Sequence, residues 1–325
     1  MDPHVEDCLK GLPIGIYRLH FTLSRDLRLT SFQGSVWRGI WGRQLRMMSD
    51  GERAAPEELP AWISKEELYE YFMLTPPPPD APAMRRYPHV PHPYALSCAW
   101  HPGALDARKG EGICVTLKLF GKANDLLHVA ILAFARAAQD GLGPRRIAAT
   151  LENVEMFRPE PGAPLETIFA PGTPLKRPRP VPPPGCRTHP APSAIVTFLT
   201  PLRLQHEGRI SDPQTFHPYP FLMNLVRRYC MLRLFHGRGE APLDFPELSR
   251  QAENVRLVDN TLHWVGRRRY SARQKREIPI GGVMGRIRLD LSRAPDLAPF
   301  LCAGQYIQAG KGTAFGLGLY HVSTE

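Results

Sequence analysis

Proline constrains the folding of this chain more than any other residue, because 35 of the 325 residues are prolines and they are clustered. One cluster begins with the run Pro76–Pro79, and a second extends from Pro159 to Pro192. Proline fixes φ and lacks a backbone donor, so neither cluster suits the interior of a helix or a sheet. The second cluster predicts a linker over residues 159–193 between two domains.

The predicted domains are residues 1–158, with an insertion near residues 49–93, and residues 194–325. The apolar pattern of each predicts mixed α and β structure. Strands are predicted over residues 15–23, 94–100, 113–120, 147–157, 194–204, 254–265, 268–278, 285–291 and 315–322. Helices are predicted over residues 31–48, 62–73, 124–139, 220–236 and 294–303. The economical α+β architecture is two tandem ferredoxin-like (RRM-like) βαββαβ domains, the second carrying a C-terminal glycine-rich loop.

The charge balance indicates the kind of partner. The chain has 41 Lys and Arg against 31 Asp and Glu, a net charge of +10, which favours a nucleic acid or an anionic membrane. Its six cysteines are scattered without a C-x-x-C pair, so we expect no zinc site, and we predict no cofactor. The N-terminus lacks the basic start and apolar run of a secretory signal, and residues 126–138 form an apolar stretch too short to cross a bilayer. We expect a cytoplasmic protein.

The segment Gly310–Gly318 contains four glycines and Lys311. Glycine lets backbone approach a ligand closely, and a lysine between glycines can neutralise a phosphate while nearby N–H groups bind its oxygens. A nucleotide-binding P-loop is excluded because Gly312 follows the lysine where Ser or Thr is needed, and because the segment precedes a strand. The alternative interpretation of the segment is a plain turn between a helix and a strand.

The glycine segment is the last of several blocks that follow one another along the chain. The others are Phe32–Gly39 (FQGSVWRG), Pro91–Tyr94 (PHPY), Leu119–Asp125 (LFGKAND), residues 141–143 (GLG), Phe198–Leu202 (FLTPL), Ser271–Gln274 (SARQ) and Ile280–Gly285 (IGGVMG). In this order the blocks resemble those of the RAMP superfamily of CRISPR-associated proteins, and within it the pre-crRNA-processing endoribonucleases.

The resemblance implies a metal-independent endoribonuclease that cuts CRISPR repeat RNA to mature crRNA. The ribose 2′-hydroxyl attacks the adjacent phosphate, which leaves 2′,3′-cyclic phosphate and 5′-hydroxyl ends. It also implies that the protein stays bound to the repeat hairpin and acts with other subunits of a CRISPR effector complex. A non-catalytic crRNA-binding subunit of such a complex is the alternative.

One departure from the family concerns the general base. Family members often carry a histidine just after the first helix, whereas no histidine lies between His20 and His89 here. His92 belongs to the PHPY block, to which we assign a role in the fold. His20 could face RNA or be an ordinary surface histidine.

Arginine occupies this region instead, and it can clamp a phosphate and stabilise transition-state charge but cannot act as an ordinary base. Arg38, inside the first block, is the first candidate for catalysis, followed by Arg43 and Arg46. A basic face that only binds RNA, including Arg25, is the alternative.

The densest basic run predicts an RNA-binding strand, with Trp264 or Tyr270 available for stacking. A charged edge strand that prevents aggregation is the alternative. The RNA-binding residues predicted here and in the glycine segment are Arg267, Arg268, Arg269, Arg273, Lys275, Arg276, Gly310, Lys311 and Gly312.

Overall fold

The computed structural model describes residues 2–77, 90–101, 103–158, 163–183, 192–266, 268–271 and 276–324. The chain forms two compact units. The N-terminal unit is Ile14–Val181, and the C-terminal unit combines Met1–Pro13 with Pro182–Glu325. No helix among the described residues is long and apolar enough to cross a membrane.

Helix α1 (Pro3–Lys10) opens the chain and belongs to the C-terminal unit. The N-terminal unit contains β1 (Ile14–Leu23), β2 (Leu27–Leu29), α2 (Gln33–Ser49), a π-helix (Glu70–Leu74), β3 (Tyr94–Ser97), β4 (Leu105–Ala107), β5 (Gly112–Phe120), a 3-10 helix (Gly121–Leu126), α3 (Leu127–Asp140), β6 (Ala149–Phe157) and β7 (Glu166–Phe169). Five strands form an antiparallel sheet in the order β3-β5-β1-β6-β7, and β2 pairs with β4.

Aromatic rings from the helices and the sheet form the core of the N-terminal unit. Trp37, Trp41 and Leu45 recur every fourth residue of α2 and are fully buried, so one face of the helix packs inward. The Trp41 ring stacks on Phe134 of α3 at 4.9 Å and meets Tyr94 of β3 edge-on at 4.7 Å. This packing fixes the rotation of α2 about its axis.

The C-terminal unit has its own antiparallel sheet. After α1 it contains β8 (Ser193–Leu202), β9 (Gln205–His206), β10 (Arg209–Ile210), α4 (Pro218–His236), α5 (Phe245–Glu253), β11 (Arg256–Asn260), β12 (His263–Val265), β13 (Arg268–Ser271), β14 (Arg276–Pro279), β15 (Gly282–Asp290), α6 (Ala298–Ile307) and β16 (Tyr320–Thr324). The sheet order is β11-β15-β8-β16, with β12 also paired to β15, and β9–β10 and β13–β14 form separate hairpins.

Helix α1 is anchored to α4 by buried groups. Val5, Cys8 and Leu9 are buried. The Tyr229 hydroxyl donates to Leu9 O at 2.9 Å, and the Arg233 guanidinium binds the Asp7 carboxylate at 3.0 Å. The N-terminal residues are therefore an integral part of the C-terminal unit.

The predicted α+β class with antiparallel sheets is confirmed. The helix predicted over residues 62–73 is instead a π-helix limited to Glu70–Leu74, and the last strand starts at Tyr320 rather than at residue 315. Residues 313–315 form a 3-10 turn, because Gly312 and Gly316 on either side adopt left-handed φ values of 85° and 100°. Strand β7 lies inside the predicted linker 159–193, and α1 lies inside the predicted domain 1–158 but belongs to the C-terminal unit. The remaining predicted domain is 194–325.

Gly318 provides a test of how the glycine segment is built. Its φ is +71°, and a Cβ there would overlap Ala309 O. Gly208, in the same unit, has φ +82° and open space around it. We expect G208A to lower the free energy of unfolding by about 1 to 2 kcal/mol through the left-handed backbone alone. We expect G318A to cost about 1 to 3 kcal/mol more, because the backbone must also shift. Urea denaturation of both variants measures this, and equal losses would contradict it.

Candidate functional site

Arg38 lies at the centre of a polar cluster in the N-terminal unit. It is half-buried on α2, and its Nε donates to the Tyr94 hydroxyl at 3.0 Å. Its Nη2 lies 3.5 Å from His92 Nε2. A guanidinium has only donors, so Tyr94 and His92 act as its acceptors. Two partners hold the plane of the guanidinium in one orientation.

The tautomer of His92 follows from its hydrogen bonds. His92 Nδ1 lies 3.0 Å from Phe72 O, and a carbonyl can only accept, so Nδ1 carries the proton. The lone pair of the neutral ring is then on Nε2, the atom that faces Arg38. The side chain of His92 is half-buried. The cluster therefore places a proton acceptor beside a cationic donor.

The π-helix forms the back of the cluster. Phe72 supplies the carbonyl for His92, and Met73 Sδ lies 3.5 Å from the Tyr94 hydroxyl. Gly42 lets the π-helix approach α2, because a Cβ there would come within 3.1 Å of Met73 Sδ. Burial raises the pKa of Tyr94, although Arg38 lowers it in part, so the phenol stays protonated. π-Helical turns frequently occur at functional sites.

The other predicted catalytic arginines lie outside this cluster. Arg43 and Arg46 are exposed on α2, and the Arg46 guanidinium lies 4.5 Å from the centre of the Tyr69 ring. Arg25 is exposed in the turn between β1 and β2. The side chains of these three residues are exposed, whereas the Arg38 guanidinium has two polar partners.

His20 is placed differently from His92. It lies on β1, and its Nε2 is 2.8 Å from Glu155 Oε2 on β6. About a third of its side-chain surface (34%) is exposed. The imidazole is therefore held by a carboxylate rather than by an arginine, which makes the two histidines chemically distinct.

The glycine segment uses its backbone donors within the fold. Gly310 N donates to Asn224 Oδ1 at 2.8 Å, and Lys311 N donates to Arg203 O at 2.8 Å. A Cβ at Gly310 would come within 2.6 Å of Arg203 O, so glycine is needed for this approach. The amides of Gly310 and Lys311 are thus not open as an anion cradle. The exposed Lys311 side chain remains available to an anion.

The basic run is described only in part. Arg267, Arg273 and Lys275 lie outside the described residues. Arg268 is exposed at the start of β13, and Arg269 and Arg276 occupy paired strand positions in the β13–β14 hairpin, opposite Ile278 and Ser271. The described part of the run is therefore a two-stranded hairpin that begins with an exposed arginine.

Metal ligands are not grouped in the described part of the chain. No cluster of three or more His, Cys, Asp or Glu residues that could hold a metal ion occurs there. The functional groups that the structure brings together are instead a guanidinium, an imidazole and a phenol.

The contact of His92 with Arg38 could not be found from the sequence. We assigned His92 to the fold because it lies in the PHPY block. Its closeness to Arg38 depends on the pairing of β3 with β5 and on the position of the π-helix. The one available signal was that the histidine directly precedes Pro93 and Tyr94, at the start of a strand.

Comparison with family models divides the chain in two. Residues 12–181 match the model AF_1859_N, described as an N-terminal domain. Residues 196–320 match the model CRISPR_Cas6, described as the CRISPR-associated endoribonuclease Cas6. The two matches follow one another and do not overlap. No curated protein matches the sequence.

Solved structures share the fold at low sequence identity. A Cas6 product complex has a TM-score of 0.54 and 17% identity, over 95% of this chain and 100% of that chain. Cas6 of Thermus thermophilus has a TM-score of 0.50 and 15% identity, over 96% of this chain and 99% of that one. A partial Cas6-RT-Cas1–Cas2 complex has a TM-score of 0.54 and 11% identity, over 97% of this chain but 47% of that chain.

Proposed function

We propose that this chain, which belongs to the Cas6 family of CRISPR-associated endoribonucleases, cuts CRISPR repeat RNA without a metal ion at the Arg38 cluster. The family processes CRISPR RNA. The reaction proposed within that activity is attack of the ribose 2′-hydroxyl on the adjacent phosphate. The products are a 2′,3′-cyclic phosphate and a 5′-hydroxyl.

The observation that carries this proposal is the pairing of Arg38 with His92 Nε2. When RNA binds, its phosphate competes for the Arg38 donors, because charge-assisted bonds to phosphate are stronger than a bond to a neutral imidazole. The released lone pair on His92 Nε2 can then accept the 2′-hydroxyl proton. His92 thereby takes the role of the general base for which the sequence offered no candidate.

The remaining steps balance without a cofactor. The 2′-oxygen forms a bond to phosphorus, and the bond from phosphorus to the 5′-oxygen breaks. The 2′ proton passes to His92, and the leaving 5′-oxygen takes a proton from water. The hydroxide left by that water is neutralised by the proton that His92 then releases, which restores the neutral imidazole. The Arg38 guanidinium stabilises the charge that develops on the non-bridging oxygens. Its hydrogen bond to Tyr94 fixes its orientation beforehand, which lowers the cost of positioning it.

The other predicted residues are proposed to bind rather than to react. Arg43, Arg46 and Arg25 are exposed and can follow the RNA backbone, as can Lys311 and the exposed Arg268. Arg267, Arg269, Arg273, Lys275 and Arg276 are proposed for the same role on their charge. Gly310 and Gly312 are proposed to shape the segment that presents Lys311.

We also propose a ferredoxin-like fold for the N-terminal unit. The order β6-β1-β5-β3 within the N-terminal sheet, with α2 and α3 as the connecting helices, supports a ferredoxin-like unit. We propose that the protein remains on the repeat hairpin after cleavage, works with other CRISPR proteins and is cytoplasmic.

The chemistry of cleavage is tested with repeat RNA in EDTA. We expect the protein to cut the normal RNA and to leave 2′,3′-cyclic phosphate ends. We expect no cut in an RNA with a 2′-deoxy sugar at the scissile position, because the nucleophile is missing. Denaturing gels and mass spectrometry of the products measure this. Tight binding with no cleavage of either RNA would contradict the proposal.

The role of Arg38 is tested against Arg43 on the same helix. We expect R38A to slow single-turnover cleavage roughly 10²- to 10³-fold, as loss of one donor to a transition-state oxyanion does. Its effect on Kd for the RNA should be much smaller. R43A should weaken RNA binding and slow cleavage to the same modest degree, because the proposed role of Arg43 is to contact the RNA backbone. Equal losses of binding and cleavage in R38A would assign Arg38 to binding alone.

A further inference from the structure

Trp264 is an exposed tryptophan in the C-terminal unit. It lies on β12, and 47% of its surface is exposed. Trp62, the comparable case in the N-terminal unit, donates from Nε1 to Asp125 at 3.3 Å and has Lys122 Nζ 4.8 Å from its ring. Among the described residues, Trp264 has neither kind of contact. Tryptophan is enriched at binding interfaces, because its ring offers a large apolar surface.

Two glycines shape a pocket against the Trp264 ring. A Cβ at Gly281 would come within 3.1 Å of Trp264 Cζ2, and a Cβ at Gly266 would come within 3.9 Å of its Nε1. The pocket has a volume of about 410 Å³, and Trp264, Gly266, Arg268, Pro279 and Gly281 line it. This volume falls in the range of small-ligand sites, and we call it the Trp264 pocket.

Cations lie next to the pocket in a chain of contacts. Arg268 is part of its wall. Arg203 donates from Nη1 to Gly281 O at 3.1 Å, and Arg203 O in turn accepts from Lys311 N at 2.8 Å. The pocket is thus joined through one residue to the glycine segment. A ligand that fits it needs a flat apolar face and a negative group next to that face.

We propose that the Trp264 pocket binds one unpaired nucleobase of the CRISPR RNA, stacked on the indole. Arg268 and Lys311 would contact the flanking phosphates. The inference rests on the proposed function, because that function supplies the RNA. It adds a single-stranded binding site in the C-terminal unit, separate from the Arg38 cluster of the N-terminal unit.

A nucleobase satisfies both requirements of the pocket. Every base has a flat π-face, and aromatic side chains are the usual platform for it. The bases inside a stem are stacked on one another and do not offer that face, so the ligand is an unpaired nucleotide beside the stem. The pocket wall offers an aromatic ring, two glycines, a proline and a guanidinium, so stacking and phosphate contacts recognise the ligand without strong selection of one base.

The test compares Trp264 with Trp62 in the full-length protein. Binding is measured by fluorescence anisotropy with two RNAs that carry the blocking 2′-deoxy sugar. One is the repeat hairpin with its single-stranded flanks, and the other is the same stem without flanks. The variants are W264A, W264F and the matched control W62A, and thermal melting checks that each one is folded.

We expect W264A to weaken binding of the flanked RNA roughly 5- to 150-fold, the usual contribution of one stacked base. Binding of the bare stem should be unchanged. W264F should retain most of the affinity, because phenylalanine still offers a ring, and W62A should match the wild type. One abasic site in the flank should reproduce the loss in the wild type and have no further effect in W264A.

Three results would overturn the inference. W264A could bind both RNAs like the wild type, or it could lose affinity for both equally. The inference would also be overturned if the abasic site lowered the affinity of W264A as much as it lowers that of the wild type. The proposed function is judged separately, by cleavage of the bare stem made with a normal ribose at the scissile position. If W264A cuts that stem like the wild type and still binds the flanked RNA normally, only the pocket proposal is contradicted. If W264A selectively loses binding of the flanked RNA but the protein cuts no RNA, only the cleavage proposal is contradicted.

Discussion

The packing of Trp41 between two helices and a strand is the interaction on which the candidate active site depends. Its ring stacks on Phe134 and meets Tyr94 edge-on, at 4.9 and 4.7 Å. The same Tyr94 carries the hydroxyl that accepts from Arg38 Nε. The aromatic core therefore sets the position of the guanidinium directly. Loss of a buried ring of this size typically costs about 3 to 5 kcal/mol, so the site and the fold are stabilised together.

Phe72 joins the core to the site in a second way. Its ring lies 5.2 Å from that of Trp41, and its backbone carbonyl accepts from His92 Nδ1. One residue of the π-helix thus packs in the core and also selects the tautomer that leaves His92 Nε2 as an acceptor. In the C-terminal unit the glycines play a comparable part. Gly281 lets the backbone approach Trp264, and Gly310 lets it approach Arg203.

The sequence predicts most of the regular structure, because apolar periodicity records which side of an element is buried. Strand β1 and helices α2 and α4 follow from it. Arg38 was chosen as the first catalytic candidate because it lies inside the first block, and its catalytic role stays a proposal. The π-helix and the contact of His92 with Arg38 depend on long-range packing that no local pattern encodes. The glycine segment was expected to offer its amides to an anion, yet Gly310 and Lys311 donate to Asn224 and Arg203.

We propose that His92 accepts the 2′-hydroxyl proton while Arg38 holds the phosphate. The most direct test is the pH dependence of the single-turnover cleavage rate for the wild type and for H92A, with H20A as a control. A protonated imidazole cannot accept a proton, so the account predicts that the wild-type and H20A rates fall towards acidic pH. H92A should be slow and should lack that acidic limb. An H92A variant that is as fast as the wild type, or that keeps the same acidic limb, would contradict the account.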